Sequence, residues 1–563
     1  MTFYTPISVR EAVEHVNYHW FLPAVQRPYD WGERYKKKYF IKSLFDSILR
    51  EYPIGTLIIW DTPLKIPYRE FLREFDSRTL APIQSPGKWG GKQLIYDGQQ
   101  RLQSLYSCLK HNFERDILCF DLLFNKCDNR EPEGFEFFKL HQKIEPRYLR
   151  LDELYKCKDT SRNKIEFRHT LKERIGELST DENTIFEDNF DTLWKLFVGT
   201  EVKLLSYYPI KKDFTKEEVL DIFKRINTTG MRLTNSEILF SKIKSYDYLF
   251  EEKIWKRSKK IEEHTGGFSF DPDDILQLIY LIKIGSMKVD PERVDESDLK
   301  DFKEIWDELE TPLQSFFSDF LFGEFRINRS NIVNSKNALV PIILFFYYMR
   351  KKHNIKYVNF SHKSKQNLKK YFILSQLKDW WLQSYIDNTK ILIEKKITGL
   401  SEKEFPFIEL RNLADKKRDI ELNSDDLVES QWFSLKILTP KRQYHFVGDA
   451  DARFNPEKDH IFPLHPDTEE PFDHEKYNEL IDILWNLQPI KGDINEMKDD
   501  GLPQVFFEKN PEYLELYDHL PSPNIRDEIW LFKNVDKFVN VRKKKMLSFI
   551  EKEYGVYIKE VRE

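Results

Sequence analysis

Near the C-terminal end, Lys458-Asp459-His460-Ile461-Phe462-Pro463 is followed by Trp485-Asn486-Leu487-Gln488 and then by Asn495-Glu496-Met497-Lys498. An imidazole, a carboxylate and two carboxamides in this order suit hydrolysis of a phosphodiester. That reaction needs a base to deprotonate water, a hard cation to stabilise charge on the transition state, and a group that orients the base. Neighbours on an extended strand point to opposite faces, so Asp459 and His460 can serve different ends, one the cation and the other the attacking water. A helix carrying Asn495 could return an amide oxygen to the same cation. Taken singly, His460 reads as a structural histidine more readily than as a base; its company of Asp459, Pro463, Asn486, Asn495 and Lys498 reverses that preference. His445, His465 and His474 lie nearby without that context. The Arg542-Lys543-Lys544-Lys545 run reads as a solvated helix face, with a DNA backbone contact as the alternative.

A second cluster lies near the front. Tyr96-Asp97-Gly98-Gln99-Gln100-Arg101 ends a strand and opens a helix, so free N–H groups and the positive end of the helix dipole face the turn. Gly98 permits a tight turn, Arg101 offers a bidentate fork to phosphate, and Asp97 could accept from a ribose or hold a hydrated cation. The competing structural reading has Asp97 capping the helix and Arg101 closing an ion pair. Upstream, Gln26-Arg27-Pro28-Tyr29-Asp30-Trp31 gathers an amide, a guanidinium and two aromatics able to stack on a base. Downstream, Thr215-x-x-Glu218 and Thr234-x-x-Glu237 match capping boxes, and Gly230 sits where a helix would end. This predicts helix, turn, helix, with Arg225, Asn227 and Arg232 near the turn. A DNA-reading helix-turn-helix and a plain helical corner are the other readings.

The elements that must position these residues fall into three stretches. With 563 residues, two or three domains are expected. Aromatics at 15% supply packed cores, and only 19 Gly and 26 Pro exclude collagen-like or low-complexity chains. Strand and helix patterns alternate at the front: a helix over 38–50, a strand over 55–60, another over 93–96 and a helix over 99–110. From Thr215 to Gly399 the pattern is helical, with segments over 274–284, 338–352 and 366–396. After Asp425 come turns and short strands, then a basic helix over 535–553. The resulting domains are 1–245, 246–425 and 426–563. The apolar stretch 338–349 is about half of the roughly 20 residues needed to cross a bilayer and reads as a buried helix. Arg10, Glu11, Glu14 and His15 occupy the place of a secretory apolar core, so a cytoplasmic protein is expected. Cys108, Cys119, Cys127 and Cys157 form no C-x-x-C pair and read as ordinary thiols. Net charge of −5 excludes a uniformly basic nucleic-acid binder.

QR-P-x-x-W, DGQQR after a strand, and F-x-R-I-N-x-x-G-x-x-L-x-x-x-E together resemble the N-terminal domain of the GmrSD-type restriction enzymes. The D-H-I-x-P, N-L-Q and N-x-x-K series resembles their C-terminal HNH nuclease domain. The longer stretch between His460 and Asn486, and the lack of zinc-binding cysteine pairs, depart from compact HNH modules; beside that resemblance the extra length implies an elaborated hairpin over 464–483. The resemblance implies an α+β multidomain chain: a ParB- or sulfiredoxin-like α/β domain, a helical middle and a ββα-metal (HNH) domain. It implies a nucleotide-regulated DNA endonuclease of antiphage defence, dependent on Mg2+ or Mn2+ and similar to modification-dependent systems, with GTP or ATP turned over at the front and a homodimer or other homo-oligomer as the assembly. Carried over residue by residue, Gln26, Arg27, Asp97, Gly98, Gln99, Gln100, Arg101, Arg225 and Asn227 bind nucleotide. His460 is the general base, Asn486 orients it, Asp459 and Asn495 are metal ligands, and Lys498 touches phosphate. A DNA-modification sensor or scaffold with a weak nuclease, and an RNA-cleaving toxin, are the alternatives.

Overall fold

The computed structural model describes the chain except residues 1–3, 25–33, 76–80, 85–91, 126–133, 216–217, 220, 223–224, 226–233, 379, 381, 400–402, 416–420, 440–456, 469–471 and 560–563. The chain divides into two compact units, Met1–Leu249 and Phe250–Glu563. Both helices and mixed sheets are present, so the architecture is α+β.

In the first unit, strands β1 (Thr5–Ile7), β2 (Trp20–Pro23), β3 (Thr56–Trp60), β4 (Tyr68–Arg69), β5 (Glu74–Phe75), β6 (Gln93–Asp97), β7 (Asn112–Phe113), β8 (Asp116–Asp121), β9 (Phe135–Lys139), β10 (Tyr148–Arg150) and β11 (Leu205–Ile210) build two sheets. The larger has the order β1-β11-β3-β6-β2-β4, and the smaller runs β10-β8-β7-β5 with β9 on β8. β11 and β3 are parallel, whereas β3 and β6 are antiparallel with a register shift at Ile58/Ile59, opposite Asp97. Alternation along β6 explains why both faces of the larger sheet are covered: Ile95 joins one apolar cluster with Leu57 and Ile59, while Leu94 and Tyr96 join another with Trp60 and Ile210. The helix Gln99–Lys110 follows β6 after a single residue and is buried along most of its length. Both capping boxes form, with Glu218 N donating to Thr215 Oγ1 and Glu237 N to Thr234 Oγ1.

In the second unit, helix Val340–His353 is buried on every side from Val340 to Met349, and Pro341 sits in its first turn, where a missing N–H costs nothing. No helix among the described residues is long and apolar enough to cross a membrane. The segment 366–396 is not one helix but parts of two, His362–Leu377 and Gln383–Thr398. The break lets Trp380 turn inward against the rings of Tyr371 and Tyr385. Towards the C-terminus, β12 (Glu457–His460) pairs antiparallel with β13 (Leu487–Ile490), and the helix Gly492–Lys498 follows at once. In place of an elaborated hairpin, the connection carries the helix His474–Ile481.

Candidate functional site

The front cluster is a tight turn. Gly98 caps the helix with φ +91°, a left-handed conformation that only glycine adopts freely, and it offers no side chain to the first-turn N–H groups. A Cβ at Gly98 would collide with Leu57, and one at Gly55 with the Arg101 guanidinium, so both glycines admit close approach. Arg101 reaches back from the helix to β3: Nη1 donates to Ile54 O at 2.5 Å and Nη2 to Thr56 O at 3.1 Å. Nη2 also donates to Asp97 Oδ2 at 3.1 Å. Burial pulls the Arg101 guanidinium below its ordinary pKa, and the Asp97 charge opposes that shift. Asp97 and Arg101 are therefore brought together, as a partly buried pair that pins helix to sheet. Gln99 is buried at the start of the same helix. Arg225 is exposed and donates to Asp221 Oδ2 at 2.7 Å. Gln26, Arg27 and Asn227 lie outside the described residues.

The second cluster is set by β12, β13 and the helix after them. Alternation sends Glu457 and Asp459 to the face covered by helix Gly492–Lys498, and Lys458 and His460 to the other. On the helix side, Asp459 Oδ1 accepts from Lys498 Nζ at 2.9 Å and Oδ2 from Tyr517 Oη at 2.7 Å. Lys498 also donates to His460 O at 2.6 Å, and its side chain is 1% exposed. Burial, then the Asp459 charge, raises the Tyr517 pKa far above the phenolic range. Asn495 Nδ2 donates to Glu457 Oε2 at 3.0 Å.

Asn486 is wholly buried and acts on backbone. Its Oδ1 accepts from Phe462 N at 3.0 Å, and its Nδ2 donates to Phe462 O and Ile481 O at 2.8 and 3.0 Å. Any influence on the imidazole passes through the chain that follows His460, not through a side-chain contact. His460 itself is partly exposed, and its Nε2 stands 3.0 Å from Asp482 Oδ1. Asp482 carried no motif signal; its one sequence cue was a place four residues before Asn486.

The four side chains thus share one strand–strand–helix element without converging on one point. Both Asp459 oxygens accept hydrogen bonds, and the Asn495 amide donates to Glu457. Among the described residues, no group of three His, Cys, Asp or Glu side chains could hold a metal ion. Lys498 is interior, not at a surface a phosphate could touch. In the basic run expected to be a solvated face, Lys544 and Lys545 are exposed, but Arg542 is not. Arg542 is fully buried and donates to Trp485 O, Leu487 O and Asp518 O and to Gln488 Oε1, behind β13. Burial pulls its pKa down to about 10. Lys543 stands over the Trp485 ring, and Lys545 donates to Leu520 O and Pro521 O.

In the first unit, DGQQR leads from a strand into a helix, with two capping boxes downstream. Residues 9–244 match the family GmrSD restriction endonuclease, N-terminal domain. The matched region lies within the first compact unit and leaves the His460 element outside it. None of the curated proteins matches this chain.

Proposed function

We propose that this chain is a restriction endonuclease of antiphage defence that cuts DNA under nucleotide control. The observation that carries the reading is the match of residues 9–244 to a restriction endonuclease N-terminal domain. At the front, the helix start at Gly98 and the Asp97–Arg101 pair beside it are the proposed place for GTP or ATP, with Gln99, Gln100, Arg225 and the undescribed Gln26, Arg27 and Asn227 as further contacts. At the back, the partly exposed His460 imidazole takes a proton from the attacking water, and Asn486 holds the chain on which it stands. Mg2+ or Mn2+ and the ligand roles of Asp459 and Asn495 belong to the same reading and enter its test as variables. Nucleotide turnover would shift an assembly equilibrium of homo-oligomers in the cytoplasm.

One observation favours a second reading, a DNA-modification sensor or scaffold with a weak nuclease: Asp459 is bound on both oxygens by Lys498 and Tyr517. A single panel separates these. Modified phage DNA, plain plasmid and tRNA are incubated with the full chain and with His460→Ala, with divalent metal and nucleotide varied. The endonuclease reading expects DNA nicking by the wild type and its loss in His460→Ala by about 100-fold or more. Equal nicking by both removes His460 as the base, and cleavage confined to tRNA replaces the substrate. Calorimetry without heat of triphosphate binding would remove the regulatory half.

A further inference from the structure

We infer that Asp482 is the positioning residue of the His460 imidazole, holding the tautomer that leaves Nδ1 open to a water proton. The inference rests on the reading of His460 as the base. The geometry is direct: Nε2–H can donate to Asp482 Oδ1 across 3.0 Å. A carboxylate on one ring nitrogen fixes both the tautomer and the ring orientation, because it can only accept.

Local preference does not place an acid at this position. Asp482 is the C-terminal cap of helix His474–Ile481, and its own N–H donates to Asn478 O. Helix C-termini concentrate negative potential, so a carboxylate there is disfavoured by about 0.3–1 kcal/mol. A residue set against its helix is better explained by what it holds than by the helix it ends.

The backbone beneath the pair is braced on both sides by one residue. Asn486 binds Phe462 through its side chain and accepts from Ile461 N, which fixes the chain leaving His460. It also donates to Ile481 O and, through its own N–H, to Ile483 O, which fixes both neighbours of Asp482. The imidazole and the carboxylate thus stand on two strips of chain tied by the same buried amide. Lys498 adds a third tie at His460 O. The Asp482 side chain is 65% exposed and His460 22%, so solvent screens the pair and its effect is orientation more than energy. Lys458, on the same side of β12, also feels the Asp482 charge.

The test uses the full chain. Asp482→Ala should lower kcat for DNA cleavage by about 10–100-fold, leave KM within about twofold, and be largely recovered in Asp482→Glu. Unchanged kcat, or a loss shared by kcat and the folded fraction and not recovered in Asp482→Glu, would overturn the proposal. Imidazole 15N shifts of His460, assigned by difference from His460→Gln, give a readout independent of cleavage. The Nε2–H form is expected in the wild type and a mixture of tautomers in Asp482→Ala, whereas identical spectra refute the positioning role. If His460→Ala cleaves like the wild type, the base reading fails instead, and the 15N shifts still decide Asp482.

Discussion

The turn at Asp97 and the strand ending at His460 each place a carboxylate beside a cationic or basic side chain, yet the two are used in different ways. At the front, Arg101 ties the start of a helix to two carbonyls before β3 and within it, and Asp97 offsets the charge so buried. At the back, two pairs divide the tasks. Asp459–Lys498 lies inside, between strand and helix, and His460–Asp482 lies at the surface. The difference teaches that residue types name candidates, while burial decides which of them can still meet a substrate. An ammonium at 1% exposure is a strut; an imidazole at 22% can be reached by water.

The comparison can be broken at its strongest point first. Lys498→Met leaves the Asp459 carboxylate buried without its cation, so the second unit should lose about 3–5 kcal/mol, read from denaturant unfolding followed by the tryptophans of that unit. A loss near zero would mean that the pair is solvated and that Asp459 is open to other ligands. Next, Arg101→Ala releases two backbone carbonyls and one carboxylate, and a destabilisation of about 1.5–3 kcal/mol is expected from a charged donor. Faster hydrogen exchange at the β3 and β6 amides would report it. Should triphosphate turnover fall while exchange stays as in the wild type, Arg101 serves a ligand more than the fold. The smallest effect belongs to an exposed pair. Burial alone would raise the Glu11 carboxyl, but Lys203 and the Ser8 cap hold it below its ordinary 4.5. Its folded pKa is depressed, so its contribution is present above about pH 4.5 and is lost as pH falls through the lower folded value. Glu11→Gln should cost about 0.5 kcal/mol at neutral pH and flatten the acid limb of thermal unfolding.

Local chemistry was the legible part. The helix over 99–110, the glycine turn before it and both capping boxes follow from neighbours within four residues. Partners brought from afar were not legible. Ile54 and Thr56 reach Arg101 across 47 and 45 residues, and Tyr517 reaches Asp459 across 58. Nothing in the periodicity of 366–396 signals the break, because Trp380 turns inward to meet rings on both flanking helices. The stretch 464–483 was read as hairpin, yet it holds a helix whose C-terminal cap, Asp482, is a carboxylate that touches His460. In the second cluster the order of motifs located the element, and only side-chain geometry divided surface from interior.

Arg542 closes β13 from behind through three backbone carbonyls and one amide oxygen. It lies 82 positions after His460 (542 − 460 = 82). During synthesis, therefore, β13, the partner of the strand that presents the imidazole, lacks these four bonds until that arginine has left the ribosome. A chain interrupted earlier would carry the entire front unit while lacking the brace behind β13.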